Sequence, residues 1–287
     1  MTFFNIIAAA IPLNAPNFSR EAYLEWLTNS VVATFIVVGT IVYLARKATR
    51  RMELVPGRSQ NVFEAVVVIL YDTLEGIVGK HMVGKVFSLL ATLFIFIVTA
   101  NWFGLLPGVG SVGWGERTGF LTVHHIDVPL LRPTTADLNM TLGMATVFMV
   151  VWLYWTIKEI GVGGFIHHTF GVKGGLKGLM ALALLPIFLF VGVIEIISIA
   201  FRPVSLSLRL FGNVYAGETL LTTMITLGKT LGFPEWVAHL CSVLLPIPFY
   251  FLELLVGLLQ ALVFTLLCAV YIQLSTAHDE EEEKAHH

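Results

Sequence analysis

SLSLRLFGNVYAGE, residues 205–218, carries an arginine, an asparagine and a glutamate inside a tract that is otherwise almost wholly apolar from Met180 to Leu227. That tract is far longer than the roughly 20 residues needed to cross about 30 Å of hydrocarbon. A second one, Trp236 to Leu274, follows the stretch GKTLGFPEW, whose glycines and proline mark a turn. At about 1.5 Å per residue, a helix of about 40 residues reaches about 60 Å, twice the hydrocarbon thickness. The two tracts therefore predict an all-α integral membrane protein built on two long, adjacent, strongly tilted helices, about 180–227 and 236–274. Intramembrane charge is expensive and usually functional, so Arg209 and Glu218 are the first residues to explain.

The rest of the chain agrees with a membrane setting. Of its 287 residues 56% are hydrophobic and 13% charged, against about 25% charged in a soluble domain, and the mean hydropathy is +0.83. Three shorter spans precede the long tracts: Trp26 to Leu44, Val86 to Leu106, and Leu138 to Ile157, the last approached through RPTTAD and left through KEIGVGG. NVFEAVVVILYDTLEGI, residues 61–77, holds Glu64, Asp72 and Glu75 and is too polar for a lone span, so it reads as an interfacial helix or one packed on the bundle. Lysine and arginine gather at Arg46, Lys47, Arg50, Arg51, Arg58, Lys80 and Lys85, and again at Lys158, Lys173 and Lys177; the other side holds Arg20, Arg117, Arg132 and Lys229. The positive-inside rule then places the amino terminus outside, both basic loops in the cytoplasm and, with about five crossings, the carboxyl end inside.

The expected organisation is an external segment over 1–25, peripheral transmembrane helices over 26–158, a cytoplasmic loop over 159–179, the long pair over 180–274 and an acidic cytoplasmic tail over 275–287. The start, MTFFNIIAAAIPLNA, lacks the basic region of a secretory signal and reads as an interfacial or periplasmic leader. The tail, ending HDEEEEKAHH, reads as a solvated charge run.

Composition also excludes classes. A net charge of −2 provides no basic field for nucleic acid. Cys241 and Cys268 lie in apolar runs as small hydrophobes. Haem ligation needs histidines within several spans, and only His239 of nine lies near membrane depth. His167 and His168, adjacent on a helix, point to different sides and make a poor metal pair. No H-E-x-x-H, G-x-S-x-G or P-loop is present. No cofactor or metal is implied.

Placed on a helix at about 100° per residue with Glu195 at zero, Ser198 falls at about −60°, Arg202 at about −20°, Ser205 at about −80°, Arg209 at about −40° and Asn213 at about 0°. These six share one face, whereas Glu218 falls at about +140°, nearly opposite. On the second long helix Glu253, Gln260 and Tyr271 lie within about 20° of one another, with Gly257 beside them. Polar stripes in lipid commonly serve as interhelical glue, an even reading for Ser198, Ser205 and Gln260 taken singly. Arg202 lies near the end of a span, where snorkelling is the commoner account and a direct role the minor one. Arg209 cannot relay a proton because guanidinium never releases its own. It can attract a carboxylate and block direct passage of a cation. Glu195, Glu218 and Glu253 can take up and release protons. A fixed cation between two groups of titratable residues resembles a barrier between two half-channels. No carboxylate follows Arg209 at the next turn, so its working partner can belong to another chain.

PVSLSLRLFGNVYAGE together with LELLVGLLQALVFTLLCAVY resembles subunit a of the F-type rotary ATP synthases, and TANWFGLLPG and TTADLNMTLGMA resemble its second span and the lead-in to its next one. The similarity runs from about Phe87 to Tyr271. It implies two long tilted helices packed against a ring of c subunits, with Arg209 meeting each ring carboxylate and Asn213 lining the route beside it. It further implies Glu218 and Glu253 in the outer access channel, Gln260 facing the arginine, Glu195 and Ser198 on the cytoplasmic exit route, and Asn101 in the outer channel. The chain departs from a common bacterial pattern in having glutamate at both 218 and 253, where many members pair glutamate with histidine, and in having Gly104 where some carry an acid. The implied partners are the c-subunit ring, the peripheral-stalk b subunits, the remaining synthase subunits and the lipid bilayer. The implied setting is the bacterial inner membrane rather than an organellar one. Nucleotide chemistry belongs to partner subunits. The competing reading is a secondary transporter whose intramembrane arginine binds an anionic substrate, but internal repeats and paired broken helices are not visible. Co-purification of a small c-type protein in many copies separates the two.

Overall fold

The computed structural model describes residues 28–50, 52–53, 57–106, 109, 113–114, 128–129, 132–170 and 179–276. The expected external segment 1–25, and the acidic tail beyond Thr276, lie outside these. Among the described residues there are seven helices: α1 (Asn29–Thr49), α2 (Arg58–Val78), α3 (Lys80–Gly104), α4 (Leu138–Phe170), α5 (Leu179–Thr230), α6 (Glu235–Leu244) and α7 (Pro246–Thr276). Between α3 and α4 lie a two-residue antiparallel pair, Gly113–Trp114 with Val128–Pro129, and a one-turn 3-10 helix, Thr134–Ala136. Five stretches among the described residues are long and apolar enough to cross a membrane: Asn29–Thr49, Lys80–Gly104, Leu138–Ile166, Pro186–Thr230 and Glu235–Ser275. The chain is an all-α integral membrane protein.

The core forms where α2, α3, α4, α5 and α7 converge. Leu74, Val86, Leu90, Ile97, Phe148, Leu210, Phe264 and Cys268 are all sealed within it. Helix α2 joins it through Leu70, Leu74 and Val78, which repeat every four residues on one face, and through an edge-to-face contact of Tyr71 with Phe87 at 5.2 Å. Its other face exposes Val62, Val66, Val68 and Ile69.

The first long tract is one unbroken helix of 52 residues, about 78 Å long at 1.5 Å per residue, and not a hairpin of two spans. Pro203 lies inside it and leaves the Ile199 carbonyl without its usual helical donor. The second tract, expected to be continuous, divides at Leu245 into α6 and α7. Pro246 and Pro248 have no N–H to offer the carbonyls one turn earlier, so the ladder lapses while the backbone stays helical at Leu245. The stretch 159–170, expected as loop, is largely helix: Gly161 takes φ 77° and the helix resumes after it. Glycine adopts that left-handed backbone without a Cβ clash. The resumed turns bring Thr169 and Phe170 against Gly192 of α5.

Helix α5 is unevenly covered. Only 6% of its most apolar window is buried within the chain, against 44% for α3 and for the α6–α7 tract. Ile187, Phe190, Ile194, Ile197, Phe201, Val204 and Leu208 are all exposed. Their spacing alternates between three and four residues, so they form a continuous apolar stripe beside the polar one.

Candidate functional site

The site begins with a buried polar seam at one end of the bundle. Arg132, Thr134, Thr135 and Asp137, from the lead-in to α4, are each at most 3% exposed. Loops rarely hide polar groups unless partners satisfy them, and here Thr135 and Asp137 have theirs. Ser30 of α1 donates to Asp137 Oδ2 at 2.7 Å, and Asp137 Oδ1 accepts the Asn139 backbone N–H at 3.0 Å, capping α4. Thr135 donates to Asn101 Oδ1 at 2.7 Å, and Asn101 Nδ2 donates to the Gly257 carbonyl of α7 at 3.1 Å. Thr141 and Ser207 share a hydrogen bond of 3.0 Å that ties α4 to α5. The seam thus locks α1, α3, α4, α5 and α7 around one point.

Beside it lies a cavity of about 390 Å³. Five of the sequence-predicted residues line it: Asn101, Asn213, Glu218, Glu253 and Gln260. Pro133, Thr222 and Tyr250 complete its polar and apolar walls. The Glu253 carboxylate crosses from α7 to lie on the backbone of Gly217, where any Cβ would collide with it. Glycine at 217 thus leaves room for the acid opposite, which any larger residue would displace, and both glutamates line one cavity. Glu218 is largely buried and within Coulombic range of the buried Arg132. Among the described residues, Glu218 Oε2 and Gln260 Nε2 are buried without a hydrogen-bond partner.

Asn213 Nδ2 donates to Gln260 Oε1 at 2.6 Å. This bond stands at a boundary. The cavity-lining residues of α5 at 214, 218, 221, 222 and 225 fall between about +80° and +180° on the helix, whereas Arg209 falls at about −40°. Asn213, at about 0°, lies between them and also lines the cavity. Arg209 itself is exposed and outside the cavity, one turn before Asn213.

The remaining predicted residues stand apart from the cavity. Ser198 and Ser205 are exposed on α5, and Glu195 is half-buried. Arg202 turns inward, its guanidinium 5.5 Å from the centre of the Trp152 ring and 4.7 Å from that of Tyr271. Sequence reasoning missed Thr135, Gly217 and the burial of Arg132. The motif RPTTAD was visible, but nothing local shows that a polar lead-in is interred; the partners Ser30 and Asn101 are more than 30 residues away.

The family model described as ATP synthase A chain matches residues 27–273. ATP synthase subunit a of Protochlamydia amoebophila is 31% identical over 269 residues, covering 93% of this chain and 87% of the relative. That of Pseudomonas fluorescens is 32% identical, covering 90% and 84%, and that of Citrifermentans bemidjiense 32%, covering 91% and 96%. With a match across most of its length and relatives above 30% identity, the chain belongs to the ATP synthase A chain family.

Proposed function

We propose that the chain is the stator subunit through which protons reach and leave a rotating c ring, by two half-channels offset on either side of Arg209. Family membership makes it a non-catalytic part of a multi-subunit ATP synthase and implies proton translocation by the membrane sector. The observation that carries the finer reading is the Asn213–Gln260 bond, which stands between a carboxylate-lined cavity and an exposed arginine on α5.

In this reading α5 and α7 lie tilted in the membrane, since about 78 Å of helix overshoots about 30 Å of hydrocarbon. The cavity is the outer access channel. Glu218 and Glu253 pass protons along it, and Asn101 and Gln260 hold its walls. Asn213 lines the last step beside the ring, and Ser205 flanks Arg209 on the same face. A ring carboxylate arriving at Arg209 meets an attraction of about 4 kcal/mol at about 4 Å and an effective dielectric near 20. That attraction favours its ionised form and expels its proton towards an exit route past Ser198 and Glu195. The same cation repels any proton crossing directly, so flux demands rotation. The amino terminus lies outside and the carboxyl end in the cytoplasm of a bacterial inner membrane, with α2 at the interface and b subunits on the outer helices of the bundle.

The test is Arg209 itself, in complexes checked for assembly and reconstituted into vesicles. Arg209→Lys keeps the charge but loses the planar fork and abolishes proton-driven ATP synthesis. Arg209→Ala abolishes synthesis too and opens a passive proton leak. Near-parental synthesis by Arg209→Ala would sink the reading and return attention to a secondary transporter.

A further inference from the structure

The polar stripe of α5 carries two arginines on nearly the same face. Arg202 precedes Arg209 by seven residues, a rotation of about 20° and a rise of about 10 Å. Sequence alone gives a ring carboxylate two cations to meet. The structure treats them differently: Arg209 is exposed and Arg202 half-buried. The Arg202 guanidinium stands 4.7 Å from the ring centre of Tyr271 on α7 and 5.5 Å from that of Trp152 on α4, both within the range at which a cation is held by an aromatic face.

This box is built rather than incidental. Trp152 is 3% exposed, and its Nε1 donates to the Tyr271 carbonyl at 3.0 Å and to Ser275 Oγ at 2.8 Å. Ser275 in turn donates to the same Tyr271 carbonyl at 2.6 Å. The indole is therefore fixed in place before the cation arrives. Aromatic faces are a choice of partner with a consequence: they hold the charge without neutralising it and without adding a titratable group to the stripe.

We infer that Trp152 and Tyr271 sequester Arg202, so that Arg209 is the one cation of this stripe offered to a ring carboxylate. The inference rests on the ring-coupled reading above. A freed Arg202 would give an ionised carboxylate a second resting place two turns away, delaying its reprotonation and stalling the step. Trp152 and Tyr271 are thus positioning residues: they act through Arg202 and touch no proton.

The test uses the assembled synthase in vesicles. Tyr271→Leu removes the nearer aromatic face and should lower proton-driven ATP synthesis about fivefold, the scale of a lost half-buried cation–π contact. Adding Arg202→Gln to Tyr271→Leu should bring synthesis back to within about twofold of the parent, because the stray cation is gone. Tyr271→Phe keeps the ring and should behave as the parent. Parental synthesis by Tyr271→Leu overturns the inference. So does a loss that Arg202→Gln fails to relieve, which would mean that the box merely clamps helices. If Tyr271→Leu does not assemble, Arg202→Gln alone decides: synthesis within about twofold of the parent supports sequestration, and abolished synthesis shows that the guanidinium is itself used. Arg209→Ala in the same vesicles separates the levels. Its loss of synthesis leaves these outcomes to judge the box alone, and its retention overturns the ring-coupled reading and the inference with it.

Discussion

At the scale of single residues, the closest constraint is between Gly217 and Glu253. The carboxylate rests on bare backbone, so a methyl group at 217 must push it away. Overpacking of this kind costs about 1–3 kcal/mol and shifts the acid away from Glu218. Gly217→Ala should therefore slow coupled proton uptake sharply, and Gly217→Ala/Glu253→Asp, one methylene shorter, should recover part of it. Rates of ATP synthesis at varied driving force would show both changes; equal rates for the parent and Gly217→Ala would remove Glu253 from the path. Glu253→Gln should likewise slow uptake while leaving assembly intact, measured as synthesis per assembled complex. Unchanged synthesis in both Glu218→Gln and Glu253→Gln would reduce these acids to interhelical glue. The cavity-lining residues at 213, 218, 253 and 260 were legible in the sequence because polar side chains are scarce in apolar tracts, and Asn101 through the resemblance of TANWFGLLPG. Their assembly around one cavity was not. Helical periodicity put Glu218 almost opposite Asn213, and only the neighbouring α7 shows that a cavity wide enough to reach both lies between them.

At the scale of elements, helix existence followed from apolar length, but breaks and buried loops did not. Gly161 and Leu245 interrupt stretches whose composition barely changes, and what decides them is one left-handed backbone in the first case and missing proline donors in the second. The lead-in 132–137 looked like an ordinary polar connection and is interred because residues of α1, α3 and α4 supply its hydrogen-bond partners. Its key residue is Asp137, which caps α4 and receives Ser30. Asp137→Ala should lower stability by about 2–4 kcal/mol, from a lost cap and the lost bond to the buried Ser30 hydroxyl. Ser30→Ala, which removes the bonds of this hydroxyl to Asp137 and to Thr28 but spares the cap, should lower it by about 1–2 kcal/mol. Thermal unfolding in detergent would rank them, and an equal effect of the two would show that the cap contributes little.

At the scale of the whole molecule, the fold is a bundle with the first part of one long helix left largely uncovered. Purification under mild detergent should bring along a small c-type protein in many copies, and a chain isolated without one would favour the transporter reading. Cysteines placed at Arg50 and Thr276 should react with membrane-impermeant reagent only from the cytoplasmic side, which tests the orientation drawn from the basic loops. The apolar stripe from Ile187 to Leu208 has a further consequence. Dispersion contacts are individually weak and non-directional, so a surface made only of aliphatic and aromatic knobs meets each passing neighbour with nearly the same energy. Such a face has little corrugation and resists sliding poorly. On the ring-coupled reading proposed above it is a bearing, on which the catch that stops backward slip comes from charge, at Arg209, and not from fit.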